Sequence, residues 1–253
     1  MSTSVSSSRA SATTRRRKRP DTRLRPWLGR LLVTGTVGSW LLLLPVGVAS
    51  PGQARAAVSP REPLQAFLLS DLPVAARGLV KGSFKQGFRW NDLDGENYLI
   101  LTETGTFETP GRKMRQGFDA GQDAELYAYR FVNVNGRFSP VWQVTDFVRN
   151  CPLDITAEFL PAATEVTDLD NDGFAEAWVM YKTACRSDVS PATLKLIMYE
   201  INQKYAMRGR TRIALPDFSV GGEKTPDARL RANRAFLRHA ERKWKQFCVE
   251  ISQ

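Results

Sequence analysis

Between residues 82 and 213, apolar runs are cut at short intervals by Gly, Asn, Asp and Pro. Runs of this length read as strands separated by turns. Residues 82–90 and 98–103 flank a first acidic turn, and 125–134 meets 137–148 across Asn135-Gly136. That dipeptide favours the positive φ angles of a tight hairpin. Residues 153–160 and 177–183 bracket a second acidic loop, and 194–201 and 205–213 flank Asn202-Gln203-Lys204. Connections this short favour antiparallel neighbours over βαβ crossovers. Leu194, Leu196 and Met198 alternate with Lys195, Ile197 and Tyr199, so cover is expected on both faces of that strand. Residues 64–78 admit a short helix.

After a connection at 220–226, residues 226–251 read as one amphipathic helix. At 100° per residue, Leu230, Phe236, Leu237, Ala240, Trp244, Phe247, Cys248 and Ile251 form a stripe, with Arg231, Arg234, Arg238, Arg242 and Lys245 opposite. This helix is expected to cap a sheet with its basic face in solvent; an anionic membrane surface or glycan is the sharper reading. The expected fold class is mainly β, with antiparallel sheets in a propeller-like or sandwich-like arrangement and a C-terminal amphipathic α-helix.

Composition adds a leader. Residues 1–30 are rich in Ser, Thr and Arg, 31–49 are apolar, and Ala54-Arg55-Ala56 places small residues for a signal peptidase. Residues 1–56 therefore read as a signal peptide, with Ala57 opening an exported chain. An uncleaved anchor is the alternative, against which Gly35, Gly38, Ser39 and Pro45 weigh. Residues 57–219 form the β-rich part, and 220–253 the connection and helix packed on it. Removing the leader's ten Lys/Arg and one acid from totals of 36 and 26 leaves 26 and 25. The basic character thus belongs to the leader and does not point to nucleic acid.

Residues 168–176 read Asp-Leu-Asp-Asn-Asp-Gly-Phe-Ala-Glu. Calcium takes about six to eight oxygens from carboxylates and carbonyls in a flexible shell. Asp168, Asp170, Asp172 and Glu176 offer carboxylates, and Phe174 its backbone carbonyl. An EF-hand needs Glu at position 12 between two helices; Val179 stands there, in a β-rich flank. A solvated turn is the plain alternative, since Asp, Asn and Gly are turn formers. Four acids in nine residues repel one another without a cation, which favours calcium. The pattern resembles the β-flanked calcium loops of FG-GAP and related propeller repeats. The first acidic turn, 90–97, echoes it but has Trp90 at the first ligand position, and reads as a hairpin turn.

Three cysteines in an exported chain suggest one disulfide. Cys151 and Cys185 bracket the acidic loop and are the expected pair. Cys248, at the edge of the helical stripe, is expected as a semi-buried thiol, although sequence alone leaves pairings with it open. Zinc is disfavoured, with no C-x-x-C and a single histidine. That histidine, His239, falls off the apolar stripe and is expected to be exposed and inert. Neither a G-x-S-x-G elbow nor a phosphate-binding Gly-rich motif is present. Paired carboxylates are the remaining enzymatic option, with Asp154, Glu158 and Asp188 as candidates.

Cys185-Arg186-Ser187-Asp188-Val189-Ser190-Pro191, the strand after it, residues 90–103 and the 168–176 loop together resemble a family of exported bacterial proteins named for surface polysaccharide biosynthesis. The likeness runs from about residue 82 to 209. It implies a compartment and a pathway, not a reaction. The expected function is non-enzymatic: a calcium-stabilised module in the making or display of surface polysaccharide, binding glycan or a cell-envelope protein. Trp90, Trp142 and Trp178 are candidate platforms for sugar rings, although a tryptophan on a strand is more often core. A glycan-active enzyme with paired carboxylates, or a structural or adhesion module unrelated to glycans, are the alternatives. Asp188 is a further residue that a Cys151–Cys185 bond would hold near the calcium loop.

Overall fold

Most strand-forming runs pair with their sequence neighbours, as the short turns require. The computed structural model describes residues 64–108 and 121–250; the expected leader and cleavage point, the 57–63 lead-in and Ile251 lie outside the described residues. The strands are β1 (Gln65–Ala66), β2 (Ser83–Asp92), β3 (Gly95–Glu108), β4 (Gln122–Val134), β5 (Arg137–Cys151), β6 (Asp154–Phe159) and β7 (Glu165–Thr167). They continue as β8 (Glu176–Arg186), β9 (Thr193–Glu200), β10 (Gln203–Arg210), β11 (Arg212–Leu215), β12 (Phe218–Gly221), β13 (Lys224–Pro226) and β14 (Val249–Glu250). The helices are α1 (Val74–Arg77), α2 (Ala228–Ala232) and α3 (Arg234–Phe247). The fold is mainly antiparallel β with a short C-terminal helix, and its sheets are not closed.

The first sheet is the meander β1-β2-β3-β4-β5. Asn135 and Gly136 take φ of 53° and 82° and join β4 to β5, as the dipeptide demands. The second sheet runs β13-β10-β9-β8-β6, with β7 also on β8. The third, β12-β11-β14, includes one parallel pair, β11 with β14.

Three apolar clusters follow from the alternation. Phe88, Leu99, Leu101, Leu126 and Trp142 of the first sheet meet Val179, Tyr181, Ile197 and Tyr199 of the second. The other face of the first sheet, with Tyr98, Ile100 and Phe131, is covered by Phe67, Leu72 and Ala76. The other face of the second sheet, with Trp178, Met180, Leu196 and Met198, is covered by Leu230, Phe236, Ala240 and Trp244 of the helices. The strand at 194–200 is therefore apolar on both sides because it is covered on both.

The structure corrects several expectations. The helix expected over 226–251 is two helices: Asn233 leaves helical geometry and its side chain accepts from the amides of Ala235 and Phe236, capping α3. The connection at 220–226 is largely strand, in β12 and β13. Residues 64–78 do hold a short helix, α1, preceded by β1 and a 3-10 turn at Leu69–Asp71. Trp90, Trp142 and Trp178 are buried, and Trp142 stacks on Tyr199 at 4.3 Å between centroids, so none presents a face to a sugar.

His239 is buried, not exposed. Its Nε2 lies 3.1 Å from Glu165 Oε2 of β7, and its ring packs on Trp178 at 4.8 Å. A helical wheel cannot show a partner brought by a distant strand. Cys151 and Cys185 are bonded, and Cys248 is a buried thiol, more enclosed than expected.

Arg130 on β4 locks the two main sheets together. Only 1 % exposed, it donates through Nε to Asn97 Oδ1 (2.9 Å), through Nη2 to Asp94 Oδ2 (2.9 Å), and through Nη1 to the Ile201 carbonyl (2.8 Å). Asp92 Oδ2 lies 3.9 Å from Nη2. The β2–β3 turn, β4 and the β9–β10 turn thus share one guanidinium. Arg130→Met leaves Asp92 buried without a counter-charge, so we expect a loss of about 3–5 kcal/mol, read as a lower denaturant midpoint at unchanged slope.

Candidate metal centre

The acidic loop joins β7 to β8, and its shape follows from two positive-φ residues, Asn171 at 59° and Gly173 at 87°. Asp172 Oδ1 accepts from the Phe174 amide at 2.8 Å, closing the turn. At a φ of 87° Gly173 holds a backbone conformation that side chains resist, and a Cβ there, 2.6 Å from Leu93 Cδ1, would push the exposed Leu93 side chain aside. The loop is docked from the other side by the first acidic turn. The Leu93 amide donates to the Gly173 carbonyl at 3.0 Å, and the Ala175 amide to Asp92 Oδ2 at 3.2 Å.

Asp168, Asp170 and Glu176 each bring a carboxylate oxygen within 4.8 Å of the others. Asp170 and Asp172 form a second such group with Glu200. These acidic groups can hold a metal ion. Of the residues expected as ligands, Asp168, Asp170 and Glu176 converge directly, and Asp172 joins through Asp170. Phe174, named for its carbonyl, is half-buried and contributes its amide to the turn.

Sequence reading missed Glu200. It stands directly opposite Glu176 in the β8–β9 ladder, so both side chains emerge on the same face. Like charges opposite one another destabilise a sheet unless something neutralises them. The signal was the strand register, which chain order alone does not reveal.

Neither a family model, a curated protein nor a solved structure matches this chain.

The electrostatics at the centre are those of crowded carboxylates. Glu176 is fully enclosed, accepting from Thr167 Oγ1 at 2.5 Å and from the Leu169 amide at 2.9 Å. Burial pushes its carboxyl up to about 7 despite these bonds, with Asp170 and Asp168 adding to the rise. Burial and Asp172 raise Asp170. Burial raises Glu200 too, where the Tyr205 hydroxyl opposes the shift by donating at 3.1 Å. Asp168 Oδ1 is buried and accepts no hydrogen bond. A cation is the species that satisfies such an oxygen among other anions.

The other candidates lie elsewhere. Asp154 and Glu158 are exposed on β6, and Glu158 pairs with Lys182 at 2.9 Å. Asp188, exposed, accepts from the Ser190 amide and borders a separate cleft rather than joining the acidic loop.

These shifts set a pH dependence for the metal-free protein. A carboxyl raised in the folded state contributes stability below its unfolded value, near 4.5 for Glu176, and loses it as pH rises through about 7. Asp170 and Glu200 shift in the same direction. Glu165, held down to about 2 first by its hydrogen bond to His239, acts only at lower pH. In chelator, the denaturation midpoint should therefore fall from about pH 5 to about pH 8. Glu176→Gln should flatten that fall.

Proposed function

We propose that this chain is an exported, calcium-binding β module acting by binding rather than catalysis, in the assembly or display of a surface polysaccharide. The observation that carries the calcium reading is the buried, unpartnered Oδ1 of Asp168 beside Asp170 and Glu176. The donor set is all oxygen, which suits a hard cation rather than zinc or copper. Its several carboxylates on an irregular loop suit calcium better than the rigid, largely hydrated octahedron of magnesium. Asp168, Asp170, Asp172 and Glu176 are the ligands we assign, with the Phe174 carbonyl completing the loop's contribution and Glu200 closing the site from β9.

Calcium here draws β7, β8 and the end of β9 onto one ion, fixing the loop that rests against the β2–β3 turn. Export is supported by the leader and by the Cys151–Cys185 bond, which persists in oxidising compartments. The reading as a binding module is supported by the state of the titratable groups catalysis would draw on. His239 is bonded to Glu165 and Arg242, and Glu158 is paired with Lys182. The link to surface polysaccharide rests on the resemblance carried by residues 185–191, 90–103 and 168–176. The partner is then the glycan or a cell-envelope protein. Membrane contact is confined to the leader and the exposed basic face of Arg231, Arg234, Arg238, Arg242 and Lys245.

A thermal melt tests the ion. At a hundredfold excess over Kd, calcium adds about 2.7 kcal/mol. For a domain of this size Tm should rise by roughly 5–10 °C over the value in chelator. Asp168→Asn and Asp170→Ala should each abolish the rise. An equal Tm in calcium and chelator for the parent chain reduces the loop to a turn and ends the calcium reading.

A further inference from the structure

An open pocket of about 480 Å³ lies where β10 meets the two C-terminal helices. Among the described residues it is lined by Gln203 and Tyr205 of β10, Arg229 and Ala232 of α2, Asn233, and Arg234, which opens α3. None of these is an acid. Arg229 and Arg234 are exposed, and neither pairs with a carboxylate among the described residues. The cations of the neighbouring surfaces behave differently: Lys182, Arg186 and Lys243 are each held by a glutamate.

Two unpaired guanidiniums at one pocket repel each other and make its potential positive, and an anion between them relieves both effects. Tyr205 forms the side of the pocket toward the acidic loop. Its hydroxyl donates to Glu200 Oε2 at 3.1 Å, which commits that group to the far side. Burial and Glu200 push the hydroxyl up to about 12 while Arg229 opposes the rise, so this guanidinium stands within electrostatic reach of Tyr205. Asn233 Oδ1 already accepts from the amides of Ala235 and Phe236, so the end of α3 is capped and the two arginines carry the positive charge.

We propose that this pocket binds a phosphate monoester, with Arg229 and Arg234 holding the phosphate and the esterified polar body resting against Tyr205 and Gln203. A phosphate monoester carries a charge of about −1.5 to −2 near neutral pH and offers three acceptor oxygens. Two planar forks match such a group, whereas a single carboxylate leaves one guanidinium unmet. The volume falls within the usual range for small-molecule sites, which leaves room beside the phosphate for the body it is attached to. The pocket uses no residue of the acidic loop, so the site stands apart from the calcium reading.

The test is an NMR titration of the full chain with glucose 6-phosphate in metal-free buffer at about pH 7.5, where the dianion predominates. The backbone amides of Ala232, Asn233 and Arg234 report on the pocket. Val249 serves as the distant reference, since the 14 residues of α3 separate it from the pocket by about 20 Å. The ester should shift the three pocket amides and leave Val249 in place. Glucose lacks the anion and acetate the second charge, and each should bind roughly ten- to a hundredfold more weakly. Arg229→Gln and Arg234→Gln should each weaken the ester by a similar factor. Ala232→Glu, at an exposed position of the lining, should abolish binding by repulsion without touching the core. The proposal is overturned by unmoved pocket amides, by glucose or acetate binding as well as the ester, or by undiminished binding in both arginine variants. Tighter binding of inorganic phosphate than of the ester overturns the role given to the esterified body.

Discussion

A single buried guanidinium holds the two main sheets in relation to each other. Arg130 comes from β4, yet its bonds run to Asn97 of β3, to Asp94 in the β2–β3 turn and to the Ile201 carbonyl between β9 and β10. Ile201 is a β-branched residue at a φ of 49°, a conformation such side chains resist. The bond from Arg130 to its carbonyl fixes the turn there. Removing a charge from water is unfavourable unless every donor finds an acceptor. The geometry of both turns is thereby constrained to what one planar fork can reach.

The two acidic turns are solutions to the same electrostatic difficulty. In the first, Arg130 sets an internal positive charge against Asp92 and Asp94, and Asp92 also accepts from Trp90 Nε1 at 3.0 Å and Asn97 Nδ2 at 2.8 Å. In the second, Asp168, Asp170, Asp172 and Glu176 gather with Glu200, and the calcium reading gives the neutralising role to an ion from outside. The turns touch through Leu93 and Gly173 and through Asp92 and Ala175. The internal cation thus braces the loop assigned to the external one.

What the sequence disclosed was local chemistry. Asn135-Gly136 dictates its own turn, the alternation at 194–200 anticipates two covered faces, and the spacing of Asp168, Asp170 and Asp172 marks an oxygen-rich loop. What it concealed depended on register and on distant partners. Glu200 meets Glu176 only because β8 and β9 pair as they do. His239 is enclosed because β7 brings Glu165 to it. Trp90, Trp142 and Trp178 have the chemistry of sugar platforms, but the commoner use of a strand tryptophan prevails and the sheets take all three as core. The break at Asn233 was readable in principle, since Asn is a strong N-cap residue, yet the apolar stripe running through it suggested continuity.

The fold decides which thiol is left out of exchange. Three thiols allow three single pairings, and oxidation does not by itself distinguish them. Cys151 and Cys185 lie 34 residues apart, on β5 of the first sheet and β8 of the second, whereas Cys248 ends α3 and is enclosed where that helix packs on the second sheet. Disulfide exchange needs an accessible thiolate. With α3 packed, the third thiol is enclosed and has no open path to exchange with the Cys151–Cys185 bond.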